Sequence, residues 1–202
     1  MSMFVEYARS TELYKALCLS MDSPHGNLLE RTSDETAEAQ TEFLRWAFRL
    51  ATPKNFIETG TNKCFFSYLV WLTCPGAHIH TFDINTDCEK PALAIQDAVR
   101  LPRVIFHLGD TRSTLSEWKV PADFAWIDGG HEFNVAISDL LNCARLGIPY
   151  IAVDDMIDAH EPGWTEVKMA VEHFIAMTCY RLHPNPFAAH DSRGAVLLRR
   201  QD

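Results

Sequence analysis

Acidic residues close a series of short apolar runs along the sequence, and their chemistry suggests a binding site. Runs such as "HIHTFD" and "FAWID" end with an aspartate. Carboxylates attract cationic groups and accept hydrogen bonds from hydroxyl groups, so a row of them suits a ligand that carries both. Because Asp is also preferred at helix N-termini, simple helix capping is the alternative explanation. We favour a site because the first five apolar runs all have such a residue: Glu58, Asp83, Asp110, Asp128 and the pair Asp154 and Asp155.

The first run leads into a turn, "ETGTNKC" (58–64), that differs from a phosphate-binding loop. A pyrophosphate site needs closely spaced glycines, whose backbone N–H groups converge on the anion. Gly60 is present, but Asn62 and Cys64 stand where further glycines are expected. The sequence contains neither GxGxxG nor GxxxxGK[ST]. We therefore expect a ligand without phosphate groups, with positive charge and ribose hydroxyls.

Asp128, Asp154 and Asp155 form a candidate site for a divalent metal ion. Neighbouring strands lie about 4.8 Å apart, so carboxylates at adjacent strand ends can reach one ion. Oxygen ligands favour Mg²⁺ or Ca²⁺ over zinc. In a regular strand Asp154 and Asp155 point to opposite faces, so both reach one ion only if the chain turns there. Two other roles stay open, with Asp128 as a cofactor contact and Asp154 as the cap of a loop.

His131 follows Asp128 across a Gly-Gly turn and is the candidate general base. A histidine titrates near neutral pH, so it can take a proton from the hydroxyl or amine of an acceptor. The alternative is a histidine at the start of a helix that bonds only to backbone. Position alone suggests three substrate contacts in segments that border the expected crevice: His25, His160 and Trp164.

Strands that alternate with helices must position these residues. We predict strands at 55–59, 78–83, 103–110, 124–128, 150–155, 180–185 and 195–200, and helices near 32–52, 64–73, 88–100, 111–117, 132–145 and 164–178. This alternation is typical of an α/β fold with a doubly wound, mostly parallel, seven-stranded sheet and helices on both faces. The last two strands have no helix between them, so we expect an antiparallel hairpin at one edge. The ligand crevice of such a sheet lies beyond the carboxyl ends of its strands.

The composition argues against several classes of protein. The 202 residues suit one domain, which we divide into an N-terminal helical extension or lid (1–35) and a catalytic domain (36–202). A net charge of -9 repels phosphate backbones, so nucleic acid is a poor partner. No apolar stretch approaches the roughly 20 residues of a membrane span. Six scattered cysteines and no evident signal peptide favour a cytoplasmic protein. A homodimer stays open.

Taken in order, the motifs resemble those of class I S-adenosylmethionine-dependent methyltransferases. "FIETGT" is similar to their first motif, in which an acidic residue stands two before a glycine at the end of the first strand. "IDGGHEF" resembles the "IDGxHxY" block of small bacterial enzymes related to the catechol and macrocin O-methyltransferases. The resemblance covers residues 36–200, with departures at Asn62, Cys64 and Phe133. It implies a Rossmann-like fold, S-adenosylmethionine as cofactor and a small-molecule acceptor, with oxygen favoured as the methylated atom.

The resemblance also implies a role for each candidate residue. Gly60 would let the backbone approach the cofactor, Glu58 would lie near its amino-acid portion, and Asp83 would hold both ribose hydroxyls. The segment from Gly109 to Thr111 would close over the adenine. The implied cofactor residues are Glu58, Gly60, Thr61, Asn62, Asp83, Gly109, Asp110, Thr111 and Asp128. In catechol-type enzymes, positions like Asp128, Asp154 and Asp155 bind Mg²⁺ or another divalent cation, which lowers the pKa of the acceptor hydroxyl.

Other functions are compatible with the same sequence. One is a metal-independent methyltransferase that acts on nitrogen or carbon. Another is a crevice enzyme of the same fold that uses no methyl donor. A third is a non-catalytic subunit of a biosynthetic complex that binds the cofactor without turnover.

Overall fold

The computed structural model describes residues 34–62, 64–99, 104–157, 164–191 and 193–201. The strands are β1 (Asn55–Thr59), β2 (His78–Asp83), β3 (Val104–Leu108), β4 (Phe124–Ile127), β5 (Tyr150–Val153), β6 (Tyr180–His183) and β7 (Val196–Arg200). The helices are α1 (Asp34–Ala51), α2 (Phe65–Thr73), α3 (Glu89–Val99), α4 (Thr111–Thr114), α5 (Phe133–Arg145) and α6 (Trp164–Met177). The predicted N-terminal extension lies almost wholly outside the described residues.

The seven strands form one sheet in the order β3-β2-β1-β4-β5-β7-β6. The first five strands are parallel, whereas β7 is antiparallel to both β5 and β6. The short connection between β6 and β7 has no crossover helix, so those two strands can pair only in opposite directions. The predicted α/β fold, with its mostly parallel sheet and C-terminal hairpin, is confirmed.

Helices cover both faces of the sheet. One face packs against α1, α2 and α3, where Phe48 makes edge contacts with Phe56, Phe66 and Phe124. The other face packs against α5 and α6, which contribute apolar residues such as Leu140 and Phe174. All four residues of β4 are buried, as expected for a central parallel strand with helices on both sides. Two sealed apolar layers therefore leave the ends of the strands as the place for a ligand.

Among the described helices, none combines the length and apolarity that crossing a bilayer requires. The cysteines in the described part of the chain form no disulfide: Cys64, Cys74, Cys88, Cys143 and Cys179.

The carboxyl ends of the parallel strands lie side by side and are linked by backbone hydrogen bonds. Gly60, after β1, donates to the Phe82 carbonyl at 2.9 Å, and Gly109, after β3, donates to the Asp83 carbonyl at 2.8 Å. On the other side, Asp128 donates to Thr59 at 3.0 Å and Asp154 donates to Ile127 at 3.0 Å. The chain leaves β1 towards β2 on one side, while β4 lies on the other, so the strand order reverses between β1 and β4. Crevices of doubly wound sheets open at such a point.

Candidate functional site

Gly60 occupies a position at this reversal where no other residue fits. Its φ is +82°, and a Cβ on it would lie 1.9 Å from the backbone oxygen of Asp128. Any side chain would therefore collide with the rigid end of β4 rather than with a movable group. The glycine therefore lets the ends of β1 and β4 approach each other closely, with no side chain between them.

Asn62 and Cys64, where glycines were expected, both adopt the left-handed backbone conformation that glycine favours. Their φ values are +42° and +58°. This conformation costs residues with a side chain about 1–2 kcal/mol, and least for Asn. The Cys64 N–H donates to the Thr61 carbonyl at 2.7 Å, which closes the turn, and the Thr61 hydroxyl contacts that of Thr81. The turn thus keeps a glycine-like path although the glycines are absent.

Asp83 lies beside this turn, with its carboxylate held by backbone donors. One carboxylate oxygen accepts the Asn62 N–H at 3.1 Å, and the other accepts the Asn85 N–H at 2.9 Å. The side chain is half-buried, so part of it faces solvent at the strand ends. This geometry suits a carboxylate that receives hydroxyl groups from a ligand above Gly60; its role with ribose stays a prediction.

Glu58 is buried beneath the rim of the crevice, which is the row of carboxyl ends of the parallel strands. Its side chain is about 1% exposed, and the Ser67 hydroxyl of α2 donates to it at 2.6 Å. Burial raises the pKa of Glu58 to about 8, although the Ser67 and Thr81 hydroxyls act to lower it. Glu58 is therefore mostly protonated at neutral pH and adds little negative charge to the rim. The prediction that it lies near the amino-acid portion of a cofactor remains untested.

Asp110 caps a helix, the role that was the alternative to a binding site for every acidic residue at the strand ends. It accepts the Arg112 N–H at 2.9 Å at the start of α4. The Arg112 side chain pairs with the same carboxylate and lowers its pKa. Gly109 and Thr111 flank it, with Thr111 buried. The segment lies at the strand ends next to Asp83, and its contact with adenine stays a prediction.

Asp128, Asp154 and Asp155 converge on one guanidinium group, that of Arg193. Arg193 donates to both oxygens of Asp155, at 2.7 Å from Nε and 2.8 Å from Nη2. Its Nη2 also lies 3.3 Å from Asp154 and 3.8 Å from Asp128. The chain turns at Asp155, whose φ is +57°, and this turn lets both consecutive aspartates reach the same cation. Arg193 belongs to the connection between β6 and β7 and was not among the residues predicted for this site.

Burial and mutual repulsion set the pKa values within this cluster. Burial raises the pKa of Asp154 to about 7, and burial together with the charge of Asp154 raises that of Asp128. Burial also acts to raise the pKa of Asp155, but hydrogen bonds from His131 and Arg193 outweigh it and leave that pKa lowered. The lowered pKa keeps Asp155 ionised at neutral pH.

His131 lies in the same pocket as the three aspartates. Its Nε2 is 3.1 Å from Asp155, and this hydrogen bond raises the pKa of His131 above its ordinary 6.5. A proton on Nε2 that is donated to Asp155 leaves the lone pair on Nδ1. The pairing of a histidine with a buried carboxylate is the arrangement that orients a general base.

The predicted metal ligands do not fit a divalent ion while Arg193 is in place. Asp128, His131 and Asp155 each offer one ligand atom, and these atoms lie within 4.8 Å of one another. However, both oxygens of Asp155 bind Arg193, and Gln40 of α1 donates to Asp154 at 3.0 Å. At an effective dielectric constant of 20, a divalent ion 4 Å from a guanidinium would be repelled by about 8 kcal/mol.

Several residues of the site carried little signal in the sequence. Gln40 lies on α1, 114 positions before its partner Asp154. Arg193 lies in an irregular connection, although a cluster of three carboxylates does require a nearby cation. Asp139 of α5 is fully buried under the turn at Gly129, and burial raises its pKa to about 6.

Three suggested substrate contacts are not tested by the described structure. His25 and His160 lie outside the described residues, and so does the side chain of Trp164.

Several solved structures share this fold. An O-methyltransferase from Bacillus cereus, in complex with SAH (S-adenosylhomocysteine), has a TM-score of 0.66 and 16% identity over 94% of this chain and 89% of that one. The methyltransferase PaMTH1 from Podospora anserina, bound to SAH, has a TM-score of 0.63 and 17% identity, with 98% and 94% covered. The O-methyltransferase TomG from Streptomyces achromogenes, involved in tomaymycin synthesis and bound to SAM (S-adenosylmethionine), has a TM-score of 0.67 and 15% identity, with 98% and 95% covered.

No protein-family model matches the sequence, and no curated protein matches it either. At identities of 15–17% the structural likeness is one of fold, and it confirms the Rossmann-like methyltransferase fold that the motifs implied.

Proposed function

We propose that the protein transfers a methyl group from S-adenosylmethionine to an oxygen atom of a small-molecule acceptor. The observation that carries this proposal is the position of Asp83, at the end of β2, beside the turn that begins at Gly60. There the bare backbone of the turn lies next to a carboxylate anchored by the Asn62 N–H at 3.1 Å. Structures of the same fold with SAM or SAH bound, among them two O-methyltransferases, support the choice of cofactor and reaction.

The rim residues would hold the cofactor along the ends of β1, β2 and β3. The backbone of Gly60, Thr61 and Asn62 would lie beneath it, and Asp83 would accept hydrogen bonds from the ribose hydroxyls. The segment from Gly109 to Thr111 would flank the adenine, and Asp128 would close the side nearest β4. Bound S-adenosylmethionine supplies an electrophilic methyl group attached to a positively charged sulfur.

His131 would act as the general base. Its Nε2–H donates to Asp155, so its Nδ1 is the atom that would accept a proton from the acceptor hydroxyl. Loss of that proton makes the oxygen a stronger nucleophile. Asp155 holds the ring in this tautomer, and Arg193 in turn holds Asp155. These residues would supply orientation, charge and one proton transfer.

The sequence also bears on the location, the class of acceptor, the oligomeric state and the metal ion of the enzyme. We propose a cytoplasmic enzyme that acts on small molecules rather than nucleic acid, and size-exclusion chromatography with light scattering would test for a homodimer. The sequence also predicted Mg²⁺ at Asp128, Asp154 and Asp155, but no step of the proposed reaction depends on it, and the contacts of Arg193 with the same carboxylates argue against it. Metal-independent transfer to nitrogen or carbon is the second candidate: the contact of Arg193 with all three aspartates fits a reaction without a metal ion, whichever atom is methylated.

Calorimetry with S-adenosylhomocysteine tests the cofactor assignment. We expect measurable binding to the wild type and a loss of about 1.5–3 kcal/mol in Asp83→Asn, the range for hydrogen bonds to a charged group. That loss corresponds to an affinity about 10- to 150-fold weaker. The matched control is Asp97→Asn, on the exposed side of α3, which should bind like the wild type. Equal affinity in all three folded proteins would remove Asp83 from the site.

A turnover assay with a panel of acceptors tests the reaction. Formation of S-adenosylhomocysteine with hydroxylated but not aminated acceptors would support oxygen as the methylated atom. Binding without turnover on any acceptor would favour the non-catalytic subunit. No heat of binding at all would reject the methyl donor itself.

A further inference from the structure

We infer that Arg193 is the resident cation of the acidic cluster, and that it keeps divalent metal ions out of this site. Its consequence for catalysis rests on the proposed function, whereas the exclusion of metal ions follows from the contacts of the cluster alone. The sequence resemblance to catechol-type enzymes implied a divalent ion at these positions, so by this inference the chain would carry out its reaction without that ion.

The geometry of the guanidinium matches its three partners. Two parallel hydrogen bonds to Asp155, at 2.7 and 2.8 Å, form the forked pairing that arginine makes with a carboxylate. The same Nη2 atom faces Asp154 at 3.3 Å and Asp128 at 3.8 Å. One positive charge thus lies within 4 Å of every aspartate that the sequence suggested as a metal ligand.

Arg193 is held in place by its own segment. The buried carboxylate of Asp191 accepts the Arg193 N–H at 3.0 Å and the Ala195 N–H at 2.8 Å. The Arg193 carbonyl accepts the Ile157 N–H at 3.0 Å, which ties the segment to the chain that follows β5. The side chain is 18% exposed. These contacts distinguish Arg193 from a mobile surface arginine, because both its backbone N–H and its backbone carbonyl are hydrogen-bonded.

The remaining donors would form a metal site if the guanidinium were absent. Asp128, His131 and Asp155 present two carboxylates and an imidazole within 4.8 Å of one another. Oxygen and imidazole ligands of this kind bind divalent first-row metals such as Mn²⁺. With Arg193 present, both oxygens of Asp155 are engaged and a unit positive charge occupies the centre of the cluster. The presence of the Arg193 side chain therefore determines whether the cluster can bind a divalent ion.

In the proposed reaction Arg193 is a positioning residue. It fixes Asp155, which fixes His131, so the base is oriented without a metal ion. Wild-type protein treated with EDTA should accordingly retain its turnover, and loss of turnover that Mg²⁺ restores would overturn this part of the inference.

Titration of the full chain with Mn²⁺, monitored by electron paramagnetic resonance, tests directly whether divalent ions are excluded from the site. We expect no binding to the wild type beyond weak surface association. Arg193→Met should bind at least about 30-fold more tightly, the value for removing a unit charge 4 Å from a divalent ion even in bulk water. The matched control Arg199→Met, on the exposed end of β7, should behave like the wild type.

Two results would overturn the inference. The first is specific Mn²⁺ binding to the wild type that Asp155→Asn abolishes, a measurement that does not require the Arg193 variant to fold. The second is a folded Arg193→Met that binds Mn²⁺ no better than the wild type. Should Arg193→Met not fold, Arg193→Gln provides the same comparison. All of these readings are independent of whether any acceptor is methylated, so failure of the proposed function would be recognised separately.

Discussion

Replacing Glu58 with glutamine should change how the stability of the protein depends on pH. The wild-type carboxyl is buried against Ser67, and its pKa in the folded state is about 8, against an ordinary value of 4.5. Between these values the folded state keeps a proton that the unfolded state releases. The stability contributed by protonated Glu58 is therefore complete below pH 4.5 and is lost as the pH rises through 8. Glutamine has nearly the same shape and does not ionise.

The size of the effect follows from the same two values. The interval from 4.5 to about 8, at about 1.4 kcal/mol per pH unit, gives a ceiling of about 5 kcal/mol. Because the side chain is about 1% exposed, solvent does little to screen the cost of ionising it. Near pH 5 the two proteins should have similar free energies of unfolding. At pH 9 the Glu58→Gln protein should be more stable by up to that amount.

Urea unfolding at pH 5, 6, 7, 8 and 9 would measure this difference. Other buried carboxyl groups, such as Asp139 and Asp154, titrate in the same range, but they are common to both proteins and cancel in the comparison. Glu172→Gln, at an exposed position of α6, is the matched control and should parallel the wild type at every pH. If Glu58→Gln also parallels the wild type from pH 5 to 9, then Glu58 is ionised in the folded state and the reasoning is wrong.

Two further substitutions test the rim and the base. Gly60→Ala should lower the melting temperature more than Gly147→Ala and abolish binding of S-adenosylhomocysteine. Both glycines have positive φ, but the new methyl group meets the Asp128 backbone at 1.9 Å in the first and only the end of the Arg200 side chain at 3.1 Å in the second. Equal melting temperatures would refute the steric argument. His131→Gln should lower kcat by about 10²- to 10⁴-fold, with cofactor affinity unchanged, as measured by turnover and calorimetry. An unchanged kcat would exclude His131 as the base.

The sheet could be predicted from the sequence because its signals are local. Strands such as "HIHTFD" and "FAWID" are short, apolar and bounded by turns, and the observed β2 and β4 match them to within a residue. Because the first five strands are parallel, their carboxyl ends lie on the same side of the sheet, and the acidic residues at those ends must lie there too. The hairpin of β6 and β7 was also predictable, since no crossover helix separates the two strands.

The state of the site could not be predicted in the same way, because it depends on contacts between distant residues. Arg193 meets Asp155 across 38 positions, and Gln40 meets Asp154 across 114. Nothing in the residue types near Glu58 shows that its carboxyl is buried enough to stay protonated. In the sequence Asp110 and Asp83 look alike, because each ends an apolar run. In the structure Asp110 caps α4, whereas Asp83 accepts a hydrogen bond from Asn62 in the turn after β1.

The left-handed turn after β1 also restricts how the protein can evolve. Cys64 is completely buried, and burial alone would allow valine or threonine of similar size. With φ at +58°, branching at Cβ becomes costly, so glycine is tolerated better than these larger residues. Asn62, with φ at +42°, is restricted in the same way. Substitutions at both positions should therefore be tolerated best when they introduce glycine, asparagine, aspartate or another small unbranched residue.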